Sequence, residues 1–118
     1  MAATQHAIDL ARVAAAAAGD KLASKIVALD VSEQLALTDI FLLASAPNDR
    51  QVSAIVDNVE DKLREIGVKP VRREGERNGR WVLIDFSDIV VHVQHEEERT
   101  YYQLERLWKD CPAIDLSL

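Results

Sequence analysis

Trp81-Val-Leu-Ile-Asp85-Phe-Ser87-Asp88-Ile89-Val-Val-His92-Val-Gln-His95 is the stretch on which the fold turns. Two runs of β-branched and aromatic residues flank a short polar break, which reads as a β-hairpin with Ser87 and Asp88 in its turn. A loop centred on Phe86 and Ser87 predicts Leu83 opposite Val90 and Trp81 opposite His92. Because side chains alternate along a strand, those four share one face, while Val82, Ile84, Ile89 and Val91 share the other. The second set is a core surface. The first mixes ring, aliphatic and ionisable groups and ends at Asp85, the composition of a contact surface. Residues 80–111 hold both tryptophans, both tyrosines and two of the three histidines.

Beyond the hairpin, Glu96-Glu-Glu98-Arg99-Thr-Tyr101-Tyr102-Gln-Leu104-Glu-Arg-Leu107-Trp108-Lys109 places acids first and a base last, as a helix dipole favours. One helix here sets Tyr101, Leu104, Trp108 and Cys111 on a single stripe, with most of the aromatics expected in the core. Pro112 ends it. Residues 110–118 are expected as a tail, with Ala113 to Leu118 read as a tail or a docked extension. Before the hairpin, Val68-Lys-Pro70-Val-Arg72-Arg73 reads as an extended edge segment, and Glu74 to Gly79 as a loop. Arg72, Arg73, Arg77 and Arg80 make this region basic, either as a solvated hairpin tip or as a patch facing an acidic neighbour.

The first half supplies the rest of an α/β layer. Thr4 to Ala18 is an alanine-rich helix stopped by Gly19. Lys25 to Val31 is a short strand, and Thr38 to Ser45 a nearly continuous apolar one that belongs in a sheet covered on both faces. Asp39 at its start marks strand entry more readily than catalysis. Asn48 or Asp49 is available to cap a helix in which Val52, Ile55, Val56, Val59, Leu63 and Ile66 recur at three- and four-residue steps. Its acidic outer side is explained by solvent.

A chain of 118 residues, 48% hydrophobic and 29% charged, suffices for a single domain, 1–118. Its formal charge of -6 argues against nucleic acid as the main partner and favours a basic protein. Cys111 is the only cysteine, so neither an internal disulfide nor a thiolate metal cluster is expected. The amino terminus lacks a basic segment followed by an apolar core, and no apolar run reaches the roughly 20 residues that span a bilayer; a cytoplasmic location is expected. His92 and His95, three apart on a strand, point to opposite faces and cannot chelate together. No phosphate loop, nucleophile elbow or catalytic triad is visible, and no metal or cofactor is expected.

Asp30, Thr38-Asp39-x-Phe41, Arg50, Glu74-Gly75, Trp81-x-x-x-Asp85, Asp88-x-x-Val91-His92, Arg99-x-x-Tyr102-x-Leu104-Glu105 and Leu107-Trp108 follow one another in an order that resembles the Iojap-like family of ribosomal silencing factors. The resemblance spans about residues 5 to 109. Asn48 and Gln51 depart from it, since the family often has Ser and His there.

The resemblance implies an α/β domain with a mixed sheet of about five strands flanked by helices, related in fold to nucleotidyltransferases. It implies no catalysis, and the nucleotidyltransferase pattern of Gly-Ser followed by paired aspartates is missing. It also implies a translation repressor that binds the large ribosomal subunit through ribosomal protein fourteen and blocks joining of the small subunit when nutrients are short. The expected docking set is Trp81 as anchor, Leu83, Val90 and His92, with Asp85 pairing to an arginine or lysine of the partner. Arg99 and Tyr102 either brace the strand end or reach across. An exposed apolar face also makes a homodimer off the ribosome plausible. The rivals are a nucleotide-acting enzyme using Asp39, Asp85 and His92, and a generic dimeric adaptor.

Overall fold

The computed structural model describes residues 2–75 and 79–117. Helix α1 (Gln5–Asp20) leads into strand β1 (Ser24–Asp30), and β2 (Ile40–Ala46) into α2 (Asp49–Glu65). Strands β3 (Arg72–Glu74), β4 (Trp81–Asp85) and β5 (Ile89–His95) follow, then the short helices α3 (Glu96–Tyr102) and α4 (Leu104–Leu107). The five strands form one sheet in the order β1-β2-β5-β4-β3. Among the described residues, only the central β2–β5 pair is parallel. The expected α/β architecture with a mixed five-stranded sheet is what the chain adopts.

The helices begin where short polar side chains can take their free N–H groups. Thr4 caps α1 by accepting from the Ala7 N–H, and Asn48 caps α2 by accepting from the Gln51 N–H. The alanines of α1 keep its side-chain layer thin, so Ala7, Ala11, Ala14 and Ala18 pack directly in the main core. From α2, Asn58 donates to the Ala17 carbonyl and Gln51 to those of Lys21 and Leu22, satisfying the otherwise open end of α1. Val52, Ile55, Val56, Val59 and Leu63 of α2 are buried against Ile84, Val91 and Val93, so one sheet face is sealed by the two long helices.

Both sheet edges are blunted. At β1, the carboxy-terminal segment docks as an added strand: Ala113 bridges Leu29, the Asp30 N–H donates to the Pro112 carbonyl at 2.8 Å, and the Ile114 N–H to that of Ala28 at 2.9 Å. Leu116 is buried beyond it, so residues 112–116, within the stretch expected as a tail or a docked extension, are docked. At the opposite edge β3 is three residues long, follows Pro70 and is charged.

Three expectations are corrected. The hairpin register is shifted by two residues, pairing Leu83 with His92, Asp85 with Val90 and Trp81 with Gln94. The cause is the turn, centred on Ser87 and Asp88: Ser87 takes φ 75, the Phe86 N–H donates to the Ile89 carbonyl, and the Asp85 carboxylate accepts from the Ser87 N–H. A shift of two keeps every side chain on its face, so the predicted grouping survives. The last helix is not continuous either, because Gln103 adopts a left-handed conformation at φ 49 and bends the chain between α3 and α4. Tyr101 therefore leaves the expected stripe and is 79% exposed.

The basic patch is the third. Arg72 lies 3.4 Å from Asp85, Arg73 pairs with Asp57 and Glu60, and Arg80 pairs with Glu97 and Glu98, so the described arginines sit among carboxylates. Arg77, with the loop tip 76–78, lies outside the described residues.

Candidate docking face

The sheet face away from α1 and α2 is covered only in part. On it lie Val27 and Leu29 of β1, Phe41 and Leu43 of β2, Val90, His92 and Gln94 of β5, and Trp81 and Leu83 of β4. Leu104 and Trp108 from the α4 region pack on the β1–β2 half and form a second, smaller apolar cluster with Leu29, Val31 and Leu43. The β5–β4 half is left half-open.

Six rings cross this face in unbroken succession. Tyr101 meets Tyr102 at 5.0 Å between centroids, Tyr102 meets Trp81 at 4.9 Å, Trp81 meets His92 at 6.1 Å, His92 meets Phe41 at 5.0 Å, and Phe41 meets Trp108 at 5.2 Å. These are tilted and edge-on contacts, in the range where aromatic pairs attract beyond simple burial. Tyr102 is 46% exposed, and Trp81, Leu83, Phe41 and Trp108 are half-buried. The ribbon is thus both held from beneath and accessible from above.

Trp81 is seated by backbone as well as by rings. Gly75, at φ 87, brings the end of β3 so close that a Cβ there would stand 1.9 Å from the Trp81 carbonyl oxygen. Gly75→Ala is expected to cost about 2–4 kcal/mol, combining left-handed strain with a backbone clash. Chemical denaturation should show that loss, with a changed near-ultraviolet tryptophan signal from the displaced indole.

His92 is the most buried ring of the ribbon, 6% exposed. Its Nδ1 accepts the Trp81 Nε1–H at 3.2 Å, which places the proton of the neutral ring on Nε2. Burial disfavours the charged ring and holds the His92 pKa down at about 4, from an ordinary 6.5. Between those values the unfolded chain binds a proton that the folded chain refuses, so stability is lost as pH falls from 6.5 towards 4. That gap corresponds to about 3 kcal/mol. A His92→Gln variant, which keeps an acceptor for the indole, is expected to lose less stability than wild type between pH 7 and pH 4.5. Urea midpoints for the two proteins measure the difference. Gln94, opposite Trp81 and 0% exposed, has a buried side-chain amide without a hydrogen-bond partner among the described residues, as has His92 Nε2.

The edge of the face is set by Arg99, which is 3% exposed. Its guanidinium grips both Glu105 carboxylate oxygens at 2.8 and 3.0 Å, the Lys25 carbonyl at 2.7 Å and, more loosely, Ser45 Oγ at 3.4 Å. Lys25 takes φ 50 within an irregularity of β1, so its carbonyl is available there. Arg99 and Glu105 flank the bend at Gln103, and their pairing fixes how α3 and α4 leave each other. That bend presents Tyr102 to Trp81 and Trp108 to Phe41. The Arg99 guanidinium also lowers the Glu105 pKa.

The predicted site residues are therefore distributed as follows. Trp81, Leu83, Val90, His92 and Tyr102 lie on one face, with Val90 buried within it. Asp85 ends that face, one oxygen accepting from Ser87 and the other 3.4 Å from Arg72. Arg99 is inside. Its guanidinium lies on Glu105, Ser45 and the Lys25 carbonyl. Phe41 and Trp108 were missed. The parity of Phe41 with Leu43 hinted at its face, but the parallel pairing that sets it beside His92 left no local signal.

Asp39 accepts from the Thr4 N–H at 3.0 Å and Asp30 from the Ala3 N–H at 2.9 Å, so both bind the amino-terminal segment. No group of three or more His, Cys, Asp or Glu among the described residues could hold a metal ion. No helix among them is long and apolar enough to cross a membrane.

Residues 4–118 match the family model described as ribosomal silencing factor during starvation. The ribosomal silencing factor RsfS of Bacillus subtilis is 44% identical over 108 residues, covering 92% of each chain. A crystal structure of a Chromobacterium violaceum protein superposes with a TM-score of 0.83 at 38% identity, covering 86% of this chain and 84% of that one. A crystal structure from Bacillus halodurans does so with a TM-score of 0.79 at 38% identity, covering 95% and 99%. The half-open aromatic face thus belongs to a scaffold shared along nearly its whole length, and the chain belongs to the ribosomal silencing factor family.

Proposed function

We propose that this chain is a translation repressor that docks on the large ribosomal subunit through ribosomal protein fourteen and sterically prevents the small subunit from joining. Its family supports the coarser part of this reading, ribosome-associated regulation of translation. The observation that carries the finer part is the ribbon of rings on the one sheet face that the long helices leave uncovered. Trp81 is its central anchor, with Leu83, His92 and Tyr102 around it and Val90 filling the floor. Asp85 takes a basic side chain of the partner only in exchange for Arg72, so its role is pairing at the rim. Arg99 holds the face in shape from within.

A net charge of -6 suits a basic partner and speeds its capture. The mechanism needs no turnover: occupancy of the joining surface, set by concentration against the dissociation constant, determines how many subunits are withheld. Such work is cytoplasmic. Off the ribosome the same face is available to a second copy, and self-association on it would compete with docking.

Purified large subunits mixed with the protein, pelleted and then challenged with small subunits in a light-scattering assay test the proposal. The expected result is co-sedimentation with large subunits and joining that falls as occupancy rises. Binding with undiminished joining would contradict the steric mechanism, and no co-sedimentation would contradict docking itself.

A further inference from the structure

The half-open face does not stop at Tyr102. Two clefts adjoin there, sharing Arg80, Glu98 and Tyr102 as common walls. One, of about 480 Å³, lies over Trp81 and Leu83 and is bounded by Glu74 at the end of β3. The other, of about 790 Å³, runs along the outer side of α3 past Tyr101 and Glu97. Together they make a groove with aromatic walls and carboxylates on both rims.

The charges are unequal. Among the described residues, four glutamates, Glu74, Glu96, Glu97 and Glu98, line the groove against one guanidinium, that of Arg80. Arg80 is itself occupied, 2.9 Å from Glu98 and 3.2 Å from Glu97. Three glutamates in the first turn of α3 also suit its helix dipole, which accounts for their presence on that wall. Glu74 on the facing wall lies 3.6 Å from the exposed Arg72, and the dipole does not account for Tyr101, whose ring is exposed and rests on Tyr102. Aromatic faces flanked by carboxylates recognise a guanidinium twice over, by stacking and by charge-assisted hydrogen bonds. They repel phosphates.

The geometry points to this groove as the receptor for an arginine-bearing segment of the docked protein, with Tyr101, Tyr102 and Trp81 stacking its guanidinium groups and Glu74 and Glu97 pairing with them in exchange for Arg72 and Arg80. The assignment rests on the docking reading above and extends that surface from the sheet onto the outer side of α3. It makes Tyr101, Glu74 and Glu97 contacts, and it makes the contact selective for arginine over neutral side chains of the same shape.

The test uses the intact protein and two short peptides, acetyl-Gly-Arg-Gly-Arg-Gly-amide and its counterpart with citrulline in place of arginine. Amide and indole resonances are followed by NMR as each is added. The arginine peptide should shift the Trp81 indole and the amides of residues 98–102 saturably, with the citrulline peptide at least ten-fold weaker. Glu74→Gln with Glu97→Gln, both at exposed positions, should weaken the arginine peptide and large-subunit docking about five-fold each, with the chain still folded and a reduced salt dependence. Equal response to both peptides, or shifts confined to other acidic surfaces, would overturn the assignment. So would shifts of these resonances on concentrating the protein alone, which would give the groove to a second copy. If the double variant docks on large subunits like wild type while Trp81→Ala does not, the docking reading stands and the groove assignment falls. If wild type fails to dock at all, the docking reading falls, and the peptide comparison still decides the groove.

Discussion

Trp81→Ala is expected to weaken docking on the large subunit by about a hundred-fold while leaving a folded chain. The indole is the centre of the ring ribbon, in contact with Tyr102 on one side and His92 on the other, and it donates its only N–H to His92. Removing a central tryptophan anchor typically costs 2 kcal/mol or more of binding, and about 3 kcal/mol corresponds to about a hundred-fold. The main core lies on the opposite sheet face and is untouched by the change. Trp81→Phe separates two contributions, because it keeps a ring against Tyr102 and loses the N–H. Titration of large subunits with each variant should rank them wild type, then Phe, then Ala. Equal affinity for wild type and a folded Trp81→Ala would remove the ribbon from the interface.

Arg99→Met should cost about 3 kcal/mol of stability. The guanidinium is buried and satisfies the Lys25 carbonyl and both Glu105 oxygens, and breaking a buried pair by removing one partner is strongly destabilising. The estimate sits at the lower end of that range because Glu105 keeps contact with water. Its pH signature is separable. Glu105 is held below its ordinary pKa by Arg99, so its share of stability is present above that ordinary value and is lost as pH falls through the lowered one. In Arg99→Met that dependence should vanish, and urea midpoints at pH 7 and pH 3.5 compare the two chains. The loosened bend at Gln103 should also reduce docking at temperatures where the variant is still folded, because Tyr102 and Trp108 lose their common support.

The hydrophobic patterns of α2 and β2 and the caps Thr4 and Asn48 were legible because each is a local property of a few consecutive residues. Strand alternation likewise grouped Trp81, Leu83, Val90 and His92 correctly even with the register two residues out, since a shift of two preserves the face. What was not legible depends on distant partners. The bend at Gln103 is imposed by Arg99 reaching Lys25, 74 residues away in sequence, and nothing in the α3–α4 stretch announces it. Phe41 and Trp108 join the ribbon through the parallel β2–β5 pairing and that same bend. Arg73 and Arg80 read as part of a basic patch because their acidic partners, Asp57, Glu60, Glu97 and Glu98, come from other elements.

Photo-cross-linking tests the central claim most directly. Benzoylphenylalanine placed at Tyr102, on the ribbon, is compared with the same group at Glu65, on the outer side of α2, with each protein bound to purified large subunits before irradiation. The account predicts that position 102 cross-links to ribosomal protein fourteen and position 65 to no ribosomal component. Cross-links from position 65, or from position 102 to a different part of the subunit, would contradict it.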